Sequence, residues 1–372
     1  ERVAADSGGD GLQPAGGSSV VLVRRQSSSF VLLRGLPGWG AGGSGLFDGE
    51  HPAGADPDRV ALGDLDGDGD ADLVFTNPAV DRLRVVWNRG GDTADGVERF
   101  ELGPALAGGA GVAGVGLGDL DGDGLVDVVS ANRVSHSFTV LLNGGGGVFT
   151  TAAQVGTPAY GPTDVVVADF DRDGWADVAV SGAMADRVSV HRGLPAASGV
   201  SFAGGVPYAV GGDPMRLFAV DVDLDGWTDL VSVDVLSGSL GVLRNDRRGG
   251  FVLTGSVPVA VGLTDATPAD VDGDGFVDFV ASSAGALAVL MNDRSGGFVR
   301  TVIASPISLG RVGVADLAGG PGVDVVAASL QTGDVLVYEN GMEQVGVLLC
   351  PGDVEGDGGV GLGDLLAVLS GF

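Results

Sequence analysis

Apolar residues in this chain fall in short runs, and almost every run is closed by Gly, Asn or Asp: Val128-Val129, Val165 to Ala168, Val188 to His191, Leu240 to Leu243 and Leu287 to Met291. β-Branched residues dominate these runs, and over residues 1–345 the apolar positions show no helical spacing, so short strands joined by tight turns are predicted. The runs recur in a fixed order. An apolar strand leads into an acidic loop, a second and third strand follow, a Gly-rich turn ends in Phe (Phe149, Phe251, Phe298), and a fourth strand closes the unit. The acidic loops begin at Asp64, Asp119, Asp169, Asp221 and Asp270, so the period is 55, 50, 52 and 49 residues. Two weaker copies extend the series: DLAGGPGVDVVAAS from Asp316, and VAADSGGDG with Asp6 and Asp10. Four strands per unit in seven units predict an all-β fold, a seven-bladed β-propeller of four-stranded blades over residues 1–345.

The loops carry the chemistry. DLDGDGDAD and its four full copies have Asp at positions 1, 3, 5 and 9 and Gly at position 6. Carboxylates this close repel unless a cation lies among them. Ca2+ takes six to eight oxygen ligands, which alternate residues of a sharp loop can supply, with the backbone carbonyl of position 7 adding one more. The candidate ligands are therefore Asp64, Asp66, Asp68, Asp70 and Asp72; Asp119, Asp121, Asp123, Leu125 and Asp127; Asp169, Asp171, Asp173, Trp175 and Asp177; Asp221, Asp223, Asp225, Trp227 and Asp229; and Asp270, Asp272, Asp274, Phe276 and Asp278. Position 2 is apolar each time (Leu65, Leu120, Phe170, Val222, Val271) and is expected to anchor the loop in the blade. An EF-hand shares the opening but needs an acid at position 12 and a following helix; position 12 is Phe75 in the first loop and Ser130 in the second. Asp also favours surface turns for its own sake. Yet 20 of the 42 Asp fill four positions of five loops, which the turn preference does not explain.

Composition narrows the partners. The net charge is −29 and all 20 basic residues are Arg. That excludes a basic patch for nucleic acid or anionic lipid and any chemistry of a lysine amine. A single cysteine, Cys350, permits no intrachain disulfide. No apolar stretch is long enough for a membrane span. Glu1 in place of an initiator Met points to a trimmed chain.

These loops and the Gly-Phe turn, as in SGGF at Phe298, resemble the FG-GAP and VCBS-type repeat family. The resemblance implies a propeller similar to the integrin α-chain headpiece, with Ca2+ on one rim. It also implies a secreted or cell-surface protein acting in adhesion or in binding protein or glycan. The tail, residues 346–372, resembles half of a type I dockerin. It would be a calcium loop of Asp353, Glu355, Asp357, the Gly359 carbonyl and Asp364, followed by a helix on the spacing of Leu362, Leu365, Leu366 and Leu369. About five propeller calcium ions and a sixth candidate in the tail follow, with a cohesin-type partner or a simple propeller cap as readings of that tail. A polysaccharide lyase or hydrolase and a purely architectural matrix component are the alternatives to a binding module. The arginines to inspect for an enzyme are Arg59, Arg133, Arg187 and Arg216; His51, His136 and His191 stand in separate units and are read as surface or structural residues. Trp175 and Trp227, at position 7 of neighbouring loops, are read as packing residues first and as sugar-stacking surfaces second.

Overall fold

The computed structural model describes residues 2–5, 19–24, 28–34, 46–47, 51–90, 99–197, 199–305, 308–315, 323–329, 335–338 and 344–348. Each Val-rich unit folds as an antiparallel four-stranded meander, and six such blades are present. The first is Val60–Gly63, Asp72–Asn77, Arg82–Asn88 and Phe100–Ala107; the second is Val112–Gly118, Asp127–Asn132, Ser137–Asn143 and Phe149–Gly156. The third runs Pro162–Ala168, Asp177–Gly182, Arg187–His191 and Val206–Ala209, with a small ribbon (Gly193–Leu194 and Ser201–Phe202) inserted before its last strand. The fourth is Pro214–Val220, Asp229–Asp234, Ser239–Asn245 and Phe251–Pro258, and the fifth is Leu263–Ala269, Asp278–Ser283, Ala286–Asn292 and Phe298–Ala304. The sixth is Leu309–Ala315, Asp324–Ser329, Val335–Tyr338 and Gln344–Leu348.

Packing explains the composition of each strand. The second strand of every blade is buried along its whole length, because it has a strand on either side and a neighbouring blade over each face. That is why it reads as a continuous apolar run and not as an alternation. The fourth strand, at the outer edge, is mostly exposed or half-buried. Core clusters straddle blade boundaries: Val222, Val231, Leu240 and Val242 of the fourth blade pack with Leu263, Ala266, Phe279 and Leu290 of the fifth. Burying each such Val or Leu stabilises the fold by roughly 1.5–3 kcal/mol. The first strands lie innermost and pack on one another, Val112–Gly118 against Pro162–Ala168 and Leu263–Ala269 against Leu309–Ala315. Here glycine is required. A Cβ on Gly114 would stand 2.7 Å from the Asp164 Cα and one on Gly116 would stand 2.9 Å from the Val165 carbonyl oxygen, both in the next blade.

One expectation is corrected. The fold has six four-stranded blades, not seven. The N-terminal sheet is not a further copy: it has five strands (Arg2–Ala5, Ser19–Arg24, Ser29–Arg34, Leu46–Phe47 and His51–Pro52), and its two shortest both pair with Ser29–Arg34, near opposite ends. The edge of Ser29–Arg34 thus carries two two-residue pairings in place of one full fourth strand; Asp6, Asp10 and Asp316, on which the outer copies rested, lie outside the described residues. This sheet lies beside the sixth blade and shares a core with the first through Phe30, Leu32, Leu73 and Phe75. The expected C-terminal helix, on Leu362, Leu365, Leu366 and Leu369, lies outside the described residues. Among the described residues the only helical element is the 3-10 turn Pro78–Val80, and the tail segment opens as the strand Gln344–Leu348. Asp353, Glu355, Asp357, Gly359, Asp364 and Cys350 lie outside the described residues.

Candidate metal centres

All five complete loops join a first strand to a second, so they share one rim of the propeller. Each is folded by its own carboxylates. The position 6 N–H donates to position 1: Gly69 to Asp64 at 3.0 Å, Gly124 to Asp119 at 2.9 Å, Gly174 to Asp169 at 2.9 Å, Gly226 to Asp221 at 2.7 Å and Gly275 to Asp270 at 2.9 Å. The position 7 N–H donates to position 5, as Asp70 to Asp68 at 2.9 Å, Leu125 to Asp123 at 2.8 Å, Trp175 to Asp173 at 2.9 Å, Trp227 to Asp225 at 2.8 Å and Phe276 to Asp274 at 2.9 Å. Gly69 has φ +93° and Gly124 has φ +88°, conformations closed to most side chains. The apolar anchor at position 2 is buried in every loop.

Position 9 differs from the rest. Asp127 is fully buried at the head of its strand, where one oxygen accepts the Leu120 N–H at 2.9 Å and the other accepts the Asn143 N–H at 2.8 Å. Asp72, Asp177, Asp229 and Asp278 repeat this double acceptance. Burial pushes Asp72, Asp127, Asp177 and Asp229 up to about 6 and Asp278 up as well, against the pull of the backbone N–H groups. A divalent cation would reverse that shift.

The structure brings carboxylate oxygens of Asp64, Asp66 and Asp72 within 4.8 Å of one another, and likewise Asp119, Asp121 and Asp127; Asp169, Asp171 and Asp177; Asp270, Asp272 and Asp278. In the fourth loop the trio is Asp221, Asp223 and Asp225. Position 5 (Asp68, Asp123, Asp173, Asp274) stands outside the other four trios. Hard carboxylate donors converging in this way suit Ca2+. The spacing did not reveal the arginines that meet these loops: Arg89 pairs with Asp66 at 2.6 Å, Arg192 with Asp171 at 3.4 Å, Arg244 with Asp223, Arg247 with Asp225 at 2.8 Å and Arg294 with Asp274 at 2.8 Å. Nor did it reveal the Asn that links blades. Asn143 Nδ2 donates to the Leu65 carbonyl of the preceding blade's loop at 2.8 Å, as Asn245 does to Phe170 and Asn292 to Val222.

The candidate arginines divide. Arg59, Arg133 and Arg216 converge with Arg311 on the cavities at the propeller axis, whereas Arg187 opens the third strand of its blade and is exposed. The cavities lie by the starts of the first strands, so they open on the rim opposite the acidic loops. The histidines pack against rings: His51 lies 5.1 Å from Phe30, His136 lies 5.2 Å from Tyr160 and His191 lies 4.9 Å from Phe138. Trp175 and Trp227 are half-buried in their loops, and the Arg172 guanidinium stacks 4.4 Å above Trp227.

A β-propeller with an aspartate-rich hairpin loop in five of its blades is thus the class defined. A family model described as the FG-GAP-like repeat matches residues 64–130, 119–180 and 221–281, so the chain carries FG-GAP-like repeats on a propeller. Among solved structures it is similar to a functionally unknown protein from Desulfotomaculum acetoxidans (TM-score 0.62, 13% identity, 92% of this chain and 97% of that one). It is also similar to a lectin from Agrocybe aegerita described as recognising non-reducing terminal N-acetylglucosamine (TM-score 0.56, 18% identity, 93% and 92%). At these identities the likeness is one of fold. A curated relative, 2-succinyl-5-enolpyruvyl-6-hydroxy-3-cyclohexene-1-carboxylate synthase of Thermobifida fusca, is 33% identical over 148 residues, 38% of this chain; the chain spans only 24% of that enzyme's length. Among the described residues no helix is long and apolar enough to cross a membrane.

Proposed function

We propose that this chain is a calcium-stabilised propeller acting as an extracellular or cell-surface binding module for a protein or glycan. The observation that carries the metal reading is the fivefold recurrence of three carboxylate oxygens within 4.8 Å of one another at the head of a buried strand. In each loop the side chains at positions 1, 3, 5 and 9 and the carbonyl at position 7 are assigned to one ion. Position 9 is already fixed by two backbone N–H groups, and positions 1, 3, 5 and 7 complete the set of oxygens that would hold the ion. The ion supplies positive charge where four carboxylates otherwise repel. Five ions would bring the net charge from −29 to −19. Each loop faces solvent on an outer rim, so the ions serve the scaffold and leave the other rim for a partner. The family model and the fold of the Agrocybe aegerita lectin support the binding reading.

Thermal unfolding followed by circular dichroism, with excess chelator and with millimolar Ca2+, tests the metal. A site held at a hundredfold its Kd adds about 2.7 kcal/mol of stability, so several sites should raise the transition by many degrees. An unshifted transition would overturn the reading.

A further inference from the structure

A bulge near the start of the first strand in the second to sixth blades places one residue per blade at the same level of the axis. The registers Gly114 opposite Ala131, Asp164 opposite Ser181, Arg216 opposite Val233 and Asp265 opposite Ser282 define this level, and Arg311 lies in the corresponding shift of the sixth blade. Arg59 occupies it in the first blade, where its carbonyl accepts the Thr76 N–H. From the first blade to the sixth the layer reads Arg59, Gly114, Asp164, Arg216, Asp265, Arg311, and from Asp164 to Arg311 the charges alternate. Gly114 adds no charge to the layer, and the next blade's backbone leaves no room for a side chain there.

The layer therefore holds three guanidinium groups against two carboxylates. Asp164 is 3.4 Å from Arg59 and 3.5 Å from Arg216, and Asp265 is 3.4 Å from Arg216 and 3.5 Å from Arg311. Both carboxylates are also committed to the backbone of the following blade, Asp164 accepting the Leu217 N–H and Asp265 the Val312 N–H. Above the layer opens a cavity of about 450 Å3, within the range of ligand sites. It is lined by Arg59, Arg311 and Arg133, with Asp58 and Asp213 as its acids. Arg133 is exposed at the mouth and makes no ion pair with the described residues.

Aliphatic side chains frame this mouth. Val134 and Leu236 directly follow the lining residues Arg133 and Val235, and Met184 holds the same turn position in the third blade. All three are exposed, Leu236 at 80%, and Val261, two residues before the lining residue Leu263, is fully exposed. Sugar platforms are aromatic; this rim has one exposed ring, Tyr160, set edge-on to His136, and is otherwise Val, Met and Leu. Buried cations ringed by exposed aliphatic groups match a carboxylate flanked by apolar side chains on a peptide.

We propose that the axial cavity is a docking site for an acidic peptide, whose carboxylate meets Arg59, Arg133 and Arg311 while its aliphatic neighbours cover Val134, Leu236 and Val261. The proposal rests on the binding-module reading and names its face and partner chemistry. A random hexapeptide library displayed on phage, panned against the calcium-loaded full chain, tests it. Enriched sequences should share Asp or Glu beside Val, Leu or Ile. Synthetic versions with the acid changed to its amide should bind about tenfold more weakly, as should the parent peptides to Arg133→Ala. Arg133 has no ion pair to lose among the described residues, and an unchanged melting curve will show that the variant folds. Leu236→Asp should weaken the same peptides, and added salt should do so too. Enrichment without acids, or binding indifferent to both Arg133→Ala and Leu236→Asp, overturns the axial site while leaving a binding module. Arg133-dependent binding of trigalacturonate without peptide binding overturns the peptide in favour of an acidic glycan. Failure of all these probes to bind overturns the axial site and counts against the binding reading, independently of the calcium-dependent melt.

Discussion

Asp127 accepts two backbone N–H groups from within the core, whereas Asp123, in the same loop, accepts only the exposed N–H of Leu125. Their spacing in the sequence marks both as ligands with equal force; only burial separates a carboxylate that builds the loop from one that completes the ion's shell. Asp127→Asn turns an amide NH2 toward a buried donor, so urea unfolding in chelator should show a loss of about 1–3 kcal/mol. Asp123→Asn should leave that value within about 0.5 kcal/mol and instead shrink the calcium-induced rise in melting temperature. At the far end of the second strand, Asn132 accepts the Gly109 N–H and donates to Ser137 and Thr139. Asp234 holds the corresponding place in the fourth blade, accepts the Gly211 N–H, and burial pushes its carboxyl up to about 7. A folded pKa above the unfolded value of 3.8 means stability that is full below pH 3.8 and lost as the pH rises through 7. Asp234→Asn should therefore stabilise the protein at pH 8, by at most about 4 kcal/mol, with little gain at pH 4. Denaturation at the two pH values checks the sign.

At the level of strands and loops, blade architecture was legible because four apolar runs and a loop recur with one period. What tied one blade to the next was not, since its partners stand far apart in sequence. Asn143 closes a third strand and bonds the Leu65 carbonyl 78 residues earlier, and no local pattern marks that pairing. Thr163 and Thr264 do the same on the opposite rim, reaching the Pro214 and Leu309 carbonyls of the following blades. The axial charge layer was half visible. Arg59, Arg133 and Arg216 stood out near blade junctions, but the alternation with Asp164 and Asp265 depends on a bulge that only the register reveals. Asn143→Ala should thus loosen its neighbour: amide hydrogen exchange ought to accelerate in the loop from Asp64 to Asp72 by about tenfold, with smaller effects in the blade that carries the substitution.

Across the whole molecule, charge is segregated. The carboxylate-rich loops crowd one rim, the arginine layer lies on the axis toward the other, and the total stays strongly negative at −29. Without metal, repulsion among the loops is partly screened by salt. Raising NaCl to ~0.5 M should therefore increase the metal-free melting temperature and move the calcium-loaded one far less; equal shifts would mean that the loops are not the source of the strain. The period of the sequence also suggested more blades than the fold contains, because a count of repeats does not register whether an outer copy can still complete a meander. The Asn clamp has a further consequence, for how such a chain can lengthen or be cut. The loops of the first, third and fourth blades are each fastened by an Asn belonging to the next blade, so there the mechanical unit is shifted from the unit of sequence by most of a repeat. Duplicating a period that carries such an Asn preserves the fastening. A break placed neatly after the first, third or fourth blade severs one, and a recombinant fragment that ends at the fourth strand of one of these blades will leave its last loop without its fastening.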